Sequence, residues 1–139
     1  MMMKKILVAY DGSEPANKAF ELALDLAGKY QAELFVLAVA RPPEFGTEVE
    51  EEAIIENSRR HFQQILKPLH AKAEAAKVWT HFETAIGHPA EQIIYHAENS
   101  GADLIVMGHR GKTLFERLLV GSVAKQVSAH AHCAVLIAR

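Results

Sequence analysis

A short unbroken apolar run closed by glycine, Asp103-Leu104-Ile105-Val106-Met107-Gly108, most restricts what this chain can fold into. Such a run reads as a strand buried on both faces, and strands of that kind belong to parallel sheets covered by helices. Lys4–Tyr10 (KKILVAY), Glu33–Val39 (ELFVLAV) and Ala134–Ala138 (AVLIA) have the same character. Val78–Ile86 instead alternates, with Val78, Thr80, Phe82, Thr84 and Ile86 on one side, as an outer strand does.

Helical spacing fills the gaps between these runs. Ser13 can cap a helix, with Glu14 at its positive end and Pro15 in its first turn. Ala16, Ala19, Phe20, Ala23, Ala27 and Tyr30 then form one apolar stripe, with Gly28 a loosening point near its end. Beyond the proline-rich loop Arg41–Gly46, Thr47 and Glu50 have capping-box spacing. They open a long charged helix carrying Ile54, Ile55, Phe62, Ile65, Leu66 and Leu69, and Pro68 inside it is expected to kink or end it. A third helix starts near Pro89 and is stopped by Ser100-Gly101-Ala102. Val120, Val123, Ala124, Val127 and Ala131 mark the last one.

Strands alternating with helices predict an α/β fold: a doubly wound, five-stranded parallel sheet with helices on both faces. The expected strand order is 3-2-1-4-5 within one domain spanning residues 1–139. The topological switch then lies between the first and fourth strands, and open α/β sheets bind ligands outside the carboxyl ends of the strands at such a switch. Ala9-Tyr10-Asp11 and Met107-Gly108 fall there.

Length and charge narrow the function classes. At 139 residues the chain can bury one substantial core, and a formal net charge of −2 argues against nucleic acid or a membrane surface as a partner. The single cysteine, Cys133, cannot form an internal disulfide, and no apolar run is long enough for a membrane span. These features predict a cytoplasmic protein.

Gly108 is followed by Gly111 three positions on, and after nine more residues Gly121-Ser122 heads the last helical segment. This layout places unencumbered backbone at a strand end and a serine at a helix start, as an anion site requires. Gly111-Lys112-Thr113 is not a Walker A motif, because Val106 occupies the position where that motif needs its first glycine. A dinucleotide G-x-G-x-x-G is also missing after the first strand, where Asp11-Gly12-Ser13 stands.

The opening ILVAYDGSE, the run DLIVMGHRGKT with LLVGSVAKQV, and the ending HAHCAVLIAR together resemble the universal stress protein family in its ATP-binding branch. The resemblance covers essentially the whole chain and includes an ungapped G-x2-G-x9-G-S. It implies a Rossmann-like fold similar to the adenine nucleotide α-hydrolases, and ATP as ligand. Gly108, Gly111, Gly121 and Ser122 would cradle the phosphates, with backbone from Val123 and Ala124. Asp11, Ala9 and Tyr10 would line the adenine and ribose end, Val39 would pack on the base, and Met107 would lie near the ribose. Arg110 and Lys112 are cationic and placed to approach phosphates, although the resemblance fixes neither contact. Asp11 would come close to a triphosphate only through a bridging Mg²⁺. The family further implies a stress-response or signalling role, with nucleotide occupancy modulating an unknown protein partner. It also implies a homodimer through the 134–138 strand, where Ala134 stands in place of a frequent proline.

Other readings compete. The glycines alone would also serve a tight strand-to-helix connection in an interaction or small-molecule-binding module of the same fold without a nucleotide. A slow adenine-nucleotide hydrolase or AMP-transferring enzyme is the other alternative. No catalytic residue is assigned, since no nucleophile and base stand in a recognisable order. His130, His132 and Cys133 form H-x-H-C, but histidine also suits the negative end of a helix, and no second cluster completes a zinc set. His109, inside the glycine loop, is expected either to sense phosphate or pH there or simply to be exposed.

Overall fold

A computed structural model describes residues 2–110 and 121–139. Among these, five strands alternate with four helices: β1 Lys5–Ala9, α1 Glu14–Tyr30, β2 Glu33–Ala40, α2 Glu48–Ala76, β3 Thr80–Ile86, α3 Pro89–Ser100, β4 Leu104–Gly108, α4 Ser122–His130 and β5 Ala134–Ala138. All pairings are parallel and the sheet order is β3-β2-β1-β4-β5, as the strand patterns predict. β1 pairs with both β2 and β4, so the chain reverses its direction of travel across the sheet between β1 and β4.

Local chemistry sets most element ends. Ser13 caps α1, its Oγ accepting from the Ala16 N–H at 3.2 Å. Both halves of the Thr47/Glu50 capping box are formed at the start of α2. Helix α1 runs through Gly28 and ends where Gln31 adopts φ 54. Tyr30 therefore falls in the last turn and is 59% exposed, outside the stripe assigned to it. The long helix does not end at Pro68. It continues to Ala76, because Phe62, Leu66, Leu69 and Ala73 are buried on one face that spans both sides of the proline. An interior proline costs about 3 kcal/mol, and burial of those side chains offsets a loss of that size. Lys77 (φ 57) then turns the chain, the Val78 N–H still bonds the Ala73 carbonyl, and β3 begins at Thr80 rather than Val78. Gly101 (φ 70) closes α3 with its N–H toward the Ala97 and Glu98 carbonyls, and Ala131 caps the end of α4.

Strand alternation divides the interior in two. Ile6, Val8, Tyr10, Leu34, Val36, Leu104 and Val106 pack with Phe20, Leu66 and Leu69 on the α1/α2 side. Leu7, Leu37, Ile105 and Met107 pack with Ile93, Ala97, Ala124 and Val127 on the α3/α4 side.

Candidate functional site

The carboxyl end of β4 lies hard against the start of α1. A Cβ added at Gly108 would come within 2.7 Å of Pro15 Cβ, 2.9 Å of the Pro15 carbonyl carbon and 3.1 Å of the Ala16 nitrogen. Glycine at this position is thus needed for packing in its own right. The next residue turns inward. His109 is 7% exposed, its N–H donates to the Ala138 carbonyl at 2.8 Å, and its Nδ1 lies 3.3 Å from the same oxygen. A carbonyl can only accept, so this contact favours the tautomer with hydrogen on Nδ1. The reading of His109 as an exposed loop residue is corrected: β4 and β5 run in register to Gly108 and Ala138, which tucks the following residue under the end of β5.

The start of α4 is fixed beside this turn. The Gly121 N–H donates to the His109 carbonyl at 2.6 Å, and a Cβ on Gly121 would lie 3.2 Å from Arg110 Cα. Gly121 therefore packs two chain segments together, and its amide is already committed. Among the described residues the amides that follow find no such partner. Lys125 is the first residue of α4 to bond back, to the Gly121 carbonyl at 3.0 Å, and no side chain caps the helix. The N–H groups of Ser122, Val123 and Ala124 therefore have no intrahelical acceptor, and the dipole makes this end favourable for negative charge. Ala124 is buried and anchors the turn, Val123 is half-buried, and Ser122 is exposed.

The remaining predicted site residues divide by strand parity. Ala9, Val39 and Met107 share the α3/α4 side with Val123 and Ala124. Tyr10 belongs to the opposite side: its ring is buried there, its hydroxyl donates to Asn17 Oδ1, and its N–H bonds the Leu37 carbonyl at 2.9 Å. Burial pushes the Tyr10 phenol pKa up, the Asp11 carboxylate adds to this, and Lys72 opposes it. Asp11 is half-buried, and its Oδ1 accepts from the Ser13 N–H at 2.9 Å in a turn completed by Gly12 at φ 83. Arg110 is half-buried beside Gly121. Gly111 and Lys112 lie outside the described residues. Sequence reasoning missed the sidedness of Tyr10, although the alternation Ile6, Val8, Tyr10 against Leu7, Ala9 carries it.

Among the described residues no group of three or more His, Cys, Asp or Glu could hold a metal ion, and no helix is long and apolar enough to cross a membrane. His132 pairs with Glu98 at 3.1 Å, and His130 stands in the last turn of α4.

A parallel doubly wound sheet with its switch point between β1 and β4 defines an α/β protein of the Rossmann-like class. The profile of the universal stress protein family matches residues 2–139, and the chain belongs to that family. It is 38% identical over 141 residues to a universal stress protein of Methanocaldococcus jannaschii, covering 99% of this chain and 83% of the relative. It is 39% identical over 148 residues to universal stress protein YxiE of Bacillus subtilis, covering 99% and 100%. Among solved structures, UspA from Lactobacillus plantarum superposes with a TM-score of 0.88 at 26% identity, covering 100% of this chain and 99% of that one. Two more distant structures share the fold. A universal stress protein in complex with cAMP has a TM-score of 0.77 at 23% identity, covering 100% and 99%. One from Archaeoglobus fulgidus in complex with dAMP has a TM-score of 0.67 at 18% identity, covering 100% of both chains.

Proposed function

We propose that this chain binds an adenine nucleotide, ATP in its working state, at the carboxyl ends of β1 and β4. The observation that carries this reading is the first turn of α4, whose three amides meet no acceptor among the described residues and which adjoins the Gly108–Arg110 turn. The cAMP and dAMP bound by the two fold relatives support an adenine nucleotide as the class of ligand.

In this reading the amides of Ser122, Val123 and Ala124 hold phosphate, with the backbone of Gly108 and Gly111 and the charges of Arg110 and Lys112 nearby. Gly121 contributes by bringing α4 to the turn rather than by donating, because its N–H is spent on His109. Ala9, Val39 and Met107 offer an apolar surface to the base and ribose, with Asp11 and the Tyr10 backbone at the strand end. A carboxylate at Asp11 also suits Mg²⁺ carried in on the nucleotide, which would screen it from the phosphates.

Nucleotide bound here touches both ends of the segment joining β4 to α4, so a partner that reads this surface distinguishes the loaded from the empty protein. The protein acts in this way as a cytoplasmic stress-response or signalling module. Its homodimer forms through β5, the sheet-edge strand, whose Val135, Leu136 and Ile137 are only half-buried and whose outer backbone a second copy would pair.

Chromatography of the nucleotides released on denaturing the purified protein, followed by calorimetric titration with Mg-ATP, tests the proposal. Bound adenine nucleotide, or saturable binding of added ATP, supports it. A protein that carries none and ignores added ATP overturns it. Accumulation of ADP or AMP beyond one equivalent would instead establish turnover.

A further inference from the structure

The other end of the same sheet face holds a second cleft, of about 180 Å³, at the amino ends of β1, β2 and β3. Its lining includes Lys5, Glu33, Phe35, Trp79, His81 and Ser100. Trp79 is the chain's only tryptophan, and it is 64% exposed. An indole is a large apolar surface to leave in water, and its backbone is held in place: the Leu34 N–H bonds the Trp79 carbonyl at 2.9 Å. Its ring lies within 11° of parallel to the His81 imidazole, with centroids 6.5 Å apart. His81 in turn packs on Phe35 at 4.9 Å and has its Nε2 3.7 Å from the Glu83 carboxylate. Three rings thus line up along one side of the cleft, with the indole at its end largely exposed.

The rim supplies polar groups of both signs. Lys5 and Glu33 are register partners on β1 and β2, and no ion pair joins their side chains among the described residues. Ser100 adds a hydroxyl that donates to the Ala97 carbonyl at 3.4 Å and keeps acceptor capacity. The volume decides the size of the occupant. Sites for drug-sized ligands run from about 300 Å³ upward, so this cleft accommodates one ring system and not a whole nucleotide.

We infer that the Trp79–His81–Phe35 cleft is a second binding site, for a single planar heteroaromatic ring that stacks on Trp79 and turns its polar edge toward Lys5, Glu33 and Ser100. Stacking on an exposed aromatic face is favourable for any such ring and tolerant of its identity. The inference is independent of the nucleotide reading, because the cleft shares no residue with the α4 end and lies a strand's length away, roughly 15 Å.

Titration of the ¹⁵N-labelled full chain with adenine, caffeine and nicotinamide, in the presence of saturating ATP, tests it. The sole indole N–H resonance reports Trp79 directly. Expected is a saturable millimolar shift of that resonance and of the Lys5, Glu33 and His81 signals. The Lys5, Glu33 and His81 shifts should be lost in Trp79→Ala and kept in Trp79→Phe, with the affinity they report unchanged within about threefold. No shift at Trp79 with any of the three rings, equal shifts of the remaining cleft signals in Trp79→Ala, or shifts confined to the start of α4 would overturn it. If ATP itself fails to bind, the Trp79 response still decides this question alone.

Discussion

The two faces of the sheet are built from alternate residues of the same strands, yet the helices cover the β1 ends of the two to different depths. On the α1/α2 side even Tyr10, beyond the tip of β1, is just 6% exposed. On the α3/α4 side Leu7, Leu37 and Ile105 are fully buried in the middle, while Ala9 and Val39 at one end and Phe35 at the other remain partly open. Helix length explains the contrast. α1 and α2 have 17 and 29 residues, against 12 and 9 for α3 and α4. At about 1.5 Å per residue a nine-residue helix reaches only about 13 Å. Short helices cover the centre of a face and leave its ends free to meet ligand. The α1/α2 face holds the larger buried core, and the other carries both candidate sites at its opposite ends.

Breaking the core of the α1/α2 face should have the largest effect. Phe20 is wholly buried on α1, and Phe20→Ala is expected to cost about 3–5 kcal/mol in unfolding free energy, read by denaturant titration. Val39→Ala, at the open end of the other face, should cost under about 1.5 kcal/mol while weakening nucleotide binding. Comparable losses at the two positions would dissolve the contrast. Next comes Gly121→Asp, which sets a carboxylate beside the open amides of α4. Its φ of −63 suits any residue, so the chain should fold, with affinity for ATP reduced by at least about 100-fold in calorimetry. Gly121→Ala isolates the 3.2 Å approach to Arg110 from the charge, and affinity retained in Gly121→Asp would remove this end of α4 from the site.

The face contrast shows why the fold was more legible than the site. Strand order, the Ser13 cap and the Thr47/Glu50 box follow from local spacing, and all are present. Pro68 does not end the helix, as a local rule allows, because a tertiary stripe, Phe62 to Ala73, holds the helix together across the proline. His109 misled because a residue beside two glycines reads as loop, whereas its burial depends on Ala138, 29 positions away. Gly108 carries two meanings that spacing cannot separate, since the collision with Pro15 exists only once β4 and α1 are packed. The Trp79–His81–Phe35 surface lies on the parity opposite to the alternating Val78, Thr80 and Phe82, so the pattern that marks the strand does not reveal it.

A pair of glycines extends the comparison to smaller effects. Gly108→Ala should cost about 1–3 kcal/mol, because the new methyl meets Pro15 backbone that cannot yield as a flexible side chain would. Gly28→Ala lies in an exposed stretch of α1 with nothing within 4 Å of the new Cβ, and should stabilise by about 0.5–1 kcal/mol. Thermal unfolding of the two variants should move in opposite directions. A neutral Gly108→Ala would show that the contact between β4 and the start of α1 relaxes freely.

The smallest predicted effect lies at the strand starts, between the two faces. Asp103 Oδ2 accepts from the backbone N–H of Lys4 at 2.8 Å and of Lys5 at 3.0 Å, joining the start of β1 to β4. Those two bonds hold its carboxyl below the usual carboxylate range, outweighing a small opposing effect of burial. A carboxyl with a lowered folded pKa gives stability that is complete above its unfolded pKa and disappears as pH falls through the folded value. The contribution should therefore be constant at neutral pH and fade only in acid, below about pH 4. Because the bonds are solvent-exposed, Asp103→Asn should cost under about 1 kcal/mol at pH 7 and nothing once the wild-type carboxyl is protonated. Denaturant midpoints of the two proteins measured from pH 7 down to acid should converge. Parallel curves would mean that the carboxylate charge contributes nothing, leaving the amide, which keeps an acceptor oxygen, to join the strands as well as the native side chain does.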